Sequence, residues 1–191
     1  GNTTAFVEME DGINEYGLSV GLTFVYPTII KAGFNAGLLV RYLLEKCRTT
    51  NEAIQTLKQI PIASQQTLTI ADNTGNIAVV ECNAENVEVI KANEKDNFVI
   101  ATNEFSSENM KKYNNYNIDD WKAEERYNVG YNALVTNKNN FSFDLAKDIL
   151  SGKYGFMCQY DRKTNADTVW SVIYDIKNKK VYRVEGNPSR K

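Results

Sequence analysis

Three cysteines and no histidine set the chemistry open to this chain. Without an imidazole, every mechanism built on a histidine base is closed. What remains works with a terminal amine, carboxamides, hydroxyls and an arginine. The cysteines are Cys47, Cys82 and Cys158, an odd number, and their spacing fits neither a disulfide framework nor a zinc motif. They read as free thiols of a reducing, cytoplasmic compartment. The most informative stretch is Asp11 to Phe24, DGINEYGLSVGLTF, which reads as a turn feeding a strand.

The elements that must position any such chemistry belong to one domain, residues 1–191, long enough for a full hydrophobic core. A content of 42% hydrophobic and 24% charged residues is that of an ordinary globular protein. The net charge of -2 gives no reason to expect nucleic acid or an anionic membrane as partner. No apolar run approaches the ~20 residues that cross a bilayer. The opening GNTTAFVEME has no basic and apolar leader pattern and no initiator Met. Because it begins inside a strand-like pattern, the chain reads as a processed or truncated piece.

Thr3 to Met9 alternates enough to be a strand, Asp11-Gly12 signals a turn, and Leu18 to Tyr26 is a second apolar strand. Gly33 and Gly37 bracket the entry to a helix whose apolar face is Leu38, Leu39, Tyr42, Leu43 and Cys47. Thr49 with Glu52 forms a capping box for a second helix, stopped by Pro61. Strands are expected at Thr67–Ala71, Ile77–Cys82, Val87–Lys91 and Phe98–Thr102, joined by hops short enough for an antiparallel meander. Residues 103–120 are polar and read as a loop. Helices are expected at Trp121–Val135 and, capped by Ser142, at Phe143–Leu150. A hairpin, Thr168–Tyr174 with Lys180–Val184, closes the chain. The expected class is α+β, with helices against an antiparallel sheet.

Five segments in order resemble the choloylglycine hydrolase and penicillin acyltransferase-like families of N-terminal nucleophile hydrolases. Asp11-Gly12-Ile13-Asn14-Glu15-Tyr16-Gly17-Leu18 is similar to the family's D-G-[ILM]-N-E-x-G-L. GLLVRYLLEKCRTTNEAI followed by IPIASQQTLTIADNTGNIAVVEC looks like its helix, Thr-capped helix and hairpin. Ala101-Thr102-Asn103 is similar to its strand-end T-N, Arg126-Tyr127 to its helix arginine, and Asp167 to Asp175 to its last hairpin. The resemblance covers nearly the whole chain.

The resemblance implies an αββα sandwich of antiparallel sheets, incomplete at its N-terminal side. It implies a cysteine nucleophile at a free N-terminus, whose own α-amine, with an ordinary pKa of ~7.7–8.0, is the general base. The thiolate attacks a linear amide carbonyl, and water or a second amine accepts the acyl group. No cofactor and no metal are implied. By residue match, Asn103 faces the oxyanion or nucleophile and Arg126 orders the nucleophile region. Thr23 stands, across a one-residue gap, where bile-salt hydrolases carry an Asn. The implied partners are a small N-acyl amide substrate and a separate or preceding segment bearing the Cys. Gly1 is no nucleophile and the three cysteines are internal.

Plainer readings stand beside these. Asp11-Gly12 and Asn14-Glu15 shape a turn; Asn103 ends a strand; Arg126 is a solvated helix charge paired with Glu124 or Glu125. Trp170 and Tyr174 are core residues of the hairpin. Tyr113, Tyr116, Trp121 and Tyr127 either line an acyl pocket or pack. The alternative function is a noncatalytic acyl-amide-binding or assembly module of the same fold. A cut before Gly1 would bare a sheet edge, so the isolated chain is expected to form oligomers.

Overall fold

The computed structural model describes residues 1–93, 95–118 and 121–190. The chain divides into two compact units, 1–123 and 124–191.

The first unit is built on a five-stranded sheet in the order β1-β2-β3-β4-β5, every pair antiparallel. The strands are β1 (Asp11–Ile13), β2 (Ser19–Phe24), β3 (Gln66–Ala71), β4 (Ile77–Cys82) and β5 (Val87–Lys91). Two helices, α1 (Ala36–Lys46) and α2 (Thr50–Leu57), lie between β2 and β3 in the chain. The expected meander holds, with two corrections. Residues Thr3–Met9 do not form a strand: Asn2 alone bridges to Asp11, and residues 4–7 turn. Asp11-Gly12 is not a turn but part of β1. The reversal comes at Asn14–Gly17, where the Gly17 amide donates to the Asn14 carbonyl at 3.0 Å and Gly17 takes φ +83°.

Helix α1 is opened by Asn35, between Gly33 and Gly37, and its Oδ1 accepts from the Leu38 amide at 2.9 Å. The capping box of α2 forms with a one-residue offset. Thr49 Oγ1 accepts from the Glu52 amide, and the Glu52 carboxylate accepts from the Arg48 amide at 2.7 Å. Strand alternation gives the sheet two different faces. Leu18, Val20, Leu68, Ile70, Ala78, Val80 and Cys82 form the main core with Leu39, Val40 and Leu43 of α1 and Ala53, Ile54 and Leu57 of α2. The opposite face carries Ser19, Gly21, Thr23, Thr67, Thr69 and Glu81, with Ile77 and Val79 among them.

Phe98–Thr102 is not a strand. Among the described residues its apolar run joins no sheet, and Thr102 forms an isolated bridge to Glu104. The polar stretch after it, of which 119 and 120 lie outside the described residues, is a packed loop. Phe105 and Met110 are buried in a small core with Val25, and half-buried Tyr113 packs against it. Asn114 bonds both the amide and the carbonyl of Phe105 at 2.8 and 2.9 Å.

Helix α3 (Ala123–Thr136) starts two residues later than expected, because Trp121 and Lys122 both take left-handed backbone, φ +55° and +58°. The second unit contains most of α3, then α4 (Phe143–Leu150) and the hairpin β6 (Trp170–Asp175) with β7 (Lys180–Glu185). Ser142 caps α4 as expected, its Oγ accepting from the Leu145 amide at 3.1 Å. Ala133, Leu145 and Ile149 form its core, with Leu134 and Met157 against them. Trp170 and Tyr174 are half-buried rather than core residues, and the Arg183 guanidinium lies over the Trp170 ring at 5.8 Å. The Arg190 guanidinium, then the Asn187 carboxamide and the Arg162 guanidinium, hold the Asp167 carboxyl well below the usual carboxylate range. No helix among the described residues is long and apolar enough to cross a membrane.

Candidate active site

Asn103 reaches the C-terminal end of β2, the strand whose second-last residue is Thr23. The Asn103 carboxamide donates from Nδ2 to the carbonyl of Phe24 at 2.8 Å, one residue beyond Thr23. Both residues are half-buried. Thr23 pairs in register with Thr67 on β3, and Thr67 with Glu81 on β4, so a polar row Thr23–Thr67–Glu81 crosses the sheet on the face away from α1 and α2. A recess of about 10 Å³, room for one water, opens beside Asn103 and is bounded by Val25, Tyr26, Glu104 and Asn114. Phe24, Tyr26 and Trp121 pack around the same strand end. Tyr26 stacks on Trp121 with centroids 5.4 Å apart, and Phe24 meets Tyr26 edge-on at 5.3 Å. Of the aromatic residues singled out in the sequence, Trp121 therefore packs at the site's strand end. Tyr113 joins the loop core, its hydroxyl accepting from the Asn86 carboxamide at 2.8 Å.

Arg126 lies in the first turn of α3, half-buried, in the second unit. Its neighbour Tyr127 stacks on Tyr131 one turn on, at 6.2 Å.

Cys47 and Cys82 are core thiols. Cys82 is completely buried, and that burial pushes its pKa up to about 12 despite a hydrogen bond from Gln66. Burial likewise raises Cys47. Both sit in the main core as small apolar side chains. No cluster of metal-ligating side chains occurs among the described residues.

The site also rests on Gln65 and Glu81, to which the resemblance assigns no role. Gln65 is fully buried with both ends of its carboxamide bonded. Its Oε1 accepts from the Thr28 amide and hydroxyl at 3.1 and 2.7 Å, and its Nε2 donates to the carbonyls of Tyr26 and Tyr113 at 3.0 and 3.1 Å. It ties the end of β2 to the 103–118 loop. Glu81, 1% exposed, ties the same loop to β4. A glutamate within the apolar run IAVVEC is the available signal, since a buried charge demands partners.

Thr67 is fully buried and its hydroxyl has no partner among the described residues. A buried hydroxyl left unbonded costs about 1–3 kcal/mol. Thr67→Val, the same shape without the oxygen, is therefore expected to raise stability by about 1 kcal/mol. Urea denaturation checks this. A loss of 1 kcal/mol or more would show that the hydroxyl is bonded in solution.

The profile of the acyl-coenzyme A:6-aminopenicillanic acid acyl-transferase family matches residues 1–190. The chain belongs to this family. Its fold is similar to that of penicillin V acylase from Agrobacterium tumefaciens, with a TM-score of 0.66 and 16% identity over 94% of this chain. It is also similar to a mutant of the conjugated bile acid hydrolase from Clostridium perfringens, with a TM-score of 0.65 and 16% identity over 95% of this chain. These likenesses establish the fold: α+β with antiparallel sheets, of the N-terminal nucleophile hydrolase type, as the five segments implied. This family member spans 63% of the acylase chain and 71% of the bile acid hydrolase chain. A search of curated protein sequences gave no match.

Proposed function

We propose that this chain is the C-terminal part of a cysteine-nucleophile hydrolase or acyltransferase acting on linear amide C–N bonds of N-acyl substrates. The nucleophile comes from a segment that precedes Gly1 and is processed to a free N-terminal Cys. The observation that carries the reading is the family match over residues 1–190. The geometry that supports it is the Asn103 carboxamide pinned to the end of β2.

In this mechanism the α-amine of the Cys takes the thiol proton and the thiolate attacks the amide carbonyl. A C–S bond forms, the C–N bond breaks, and the amine leaves with the proton. Water or an acceptor amine then attacks the thioester and regenerates the thiol. The oxyanion formed at each step needs donors already in place. Asn103 supplies one, and its bond to the Phe24 carbonyl fixes the carboxamide beforehand. Thr23, one residue before that carbonyl, offers a second through its hydroxyl. Arg126 orders the nucleophile region. The sheet face away from Thr23's side is sealed by α1 and α2. The substrate is a small N-acyl amide, and neither a cofactor nor a metal takes part.

The test is intact mass under denaturing conditions, on native protein incubated with N-phenoxyacetyl and N-fatty-acyl amides. The expected result is a polypeptide with an N-terminal Cys whose mass rises by one acyl group. Native protein with no N-terminal Cys on any polypeptide, and no acyl adduct, would overturn the reading.

A further inference from the structure

We propose that Glu81 is the positioning residue of the Asn103 carboxamide, an inference that rests on the function proposed above. Glu81 sits on the sheet face opposite the helices, and its carboxylate is buried from water. Four donors converge on it. Oε1 accepts from the Ser106 amide at 2.6 Å and the Ser106 hydroxyl at 2.8 Å. Oε2 accepts from the Ser107 amide at 3.1 Å and the Ser107 hydroxyl at 2.6 Å. A carboxylate has about four acceptor positions and no donor, so two consecutive Ser residues match it completely. No other natural side chain of this length does. Gln offers one acceptor oxygen and turns an N–H₂ toward one pair of donors.

The arrangement serves Asn103 because of where the serines stand. Asn103 bonds the end of β2, and Ser106 and Ser107, three and four residues on, bond Glu81 near the end of β4. The short arc between is thus fastened at both ends to one rigid sheet. Phe105, in the arc, is buried against Val25 and Met110 and bracketed by Asn114. An oxyanion donor has to be held to a fraction of an ångström, and this is what a doubly anchored arc on a sheet provides. Charge-assisted hydrogen bonds are the strong kind, and four of them secure the end of the arc that Asn103 does not.

The experiment uses the native protein with Glu81→Gln, and reads both turnover of an N-acyl amide and the side-chain ¹⁵N order parameter of Asn103. Glu81→Gln is expected to lower kcat by about 10–100-fold with KM within about threefold, since a displaced donor is missed mainly in the transition state. The Asn103 order parameter is expected to fall from the rigid toward the flexible range. A Ser106→Ala, Ser107→Ala double variant keeps both backbone donors and is expected to show a smaller change in the same two readouts. It decides the matter if Glu81→Gln fails to fold. An Asn103 order parameter unchanged in the folded variants would overturn the proposal, as would an unchanged kcat. Absence of turnover by the wild-type protein would count against the proposed function instead, and the order parameter would still decide the role of Glu81.

Discussion

Asn14→Ala is expected to cost about 2–4 kcal/mol of stability, the sum of several hydrogen bonds and the groups their loss would strand. Asn14 uses its whole side chain. Oδ1 accepts from the amides of Tyr16 and Leu18 at 3.1 and 3.0 Å, shaping the β1–β2 reversal. Nδ2 donates to the carbonyls of Leu44 and Cys47 at 3.0 and 2.8 Å, at the C-terminal end of α1. Those carbonyls have no onward helical partner, so a side chain from the turn supplies one. The residue thereby fastens the hairpin to the helix that covers it. Asn14→Asp is expected to be no better than Ala: it loses both donors and sets a negative charge at the negative end of the helix dipole. Guanidinium denaturation measures the loss. A loss under 0.5 kcal/mol for both variants would mean the bonds do not persist in solution. The same geometry assigns Asn14 a structural part in the D-G-x-N-E segment, the plainer of the two readings open from the sequence.

Asp72→Ala is expected to cost a similar amount, about 2–4 kcal/mol near neutral pH, because hydrogen bonds to a buried charge are worth about 1.5–3 kcal/mol each. Asp72 is 3% exposed. Its Oδ2 accepts from the Thr50 amide at 2.7 Å, in the first turn of α2, where the helix dipole favours a negative charge. Its Oδ1 accepts from the Thr74 amide and hydroxyl at 2.9 and 2.5 Å, closing the β3–β4 turn. Burial pulls its pKa upward, but the bonds from Thr74 and Thr50 outweigh it and leave it lowered. A carboxyl depressed in the folded state stabilises fully above its unfolded value, about 3.9. That contribution is lost as pH falls through the lower folded value. The wild type is therefore expected to lose stability below about pH 4, and Asp72→Asn is expected to flatten that part of the profile. Denaturation midpoints from pH 2 to 7 test this, and identical acid slopes for the two proteins would contradict it.

Elements with a local cause were legible in the sequence. Strands β4 and β5 and helix α4 have the expected limits, because turn residues bound the first two and Ser142 caps the third. Thr3–Met9 and Phe98–Thr102 have a strand's pattern and no strand, because a strand needs a neighbour and pattern does not supply one. The site was legible only through resemblance. Asn103 bonds the Phe24 carbonyl at the end of β2, one residue beyond Thr23, a long-range contact that spacing does not reveal. Gln65 and Glu81, which hold the loop there, were missed because their partners lie 25 or more residues away in the chain.

The most direct measurement is the rate of acyl release from an N-acyl amide by the native protein, wild type against Asn103→Ala. The proposed oxyanion role predicts a fall in kcat of about 10²–10³-fold, typical for removal of one preorganised donor, with the denaturation midpoint moved little. Turnover by Asn103→Ala within a few-fold of the wild type would contradict it.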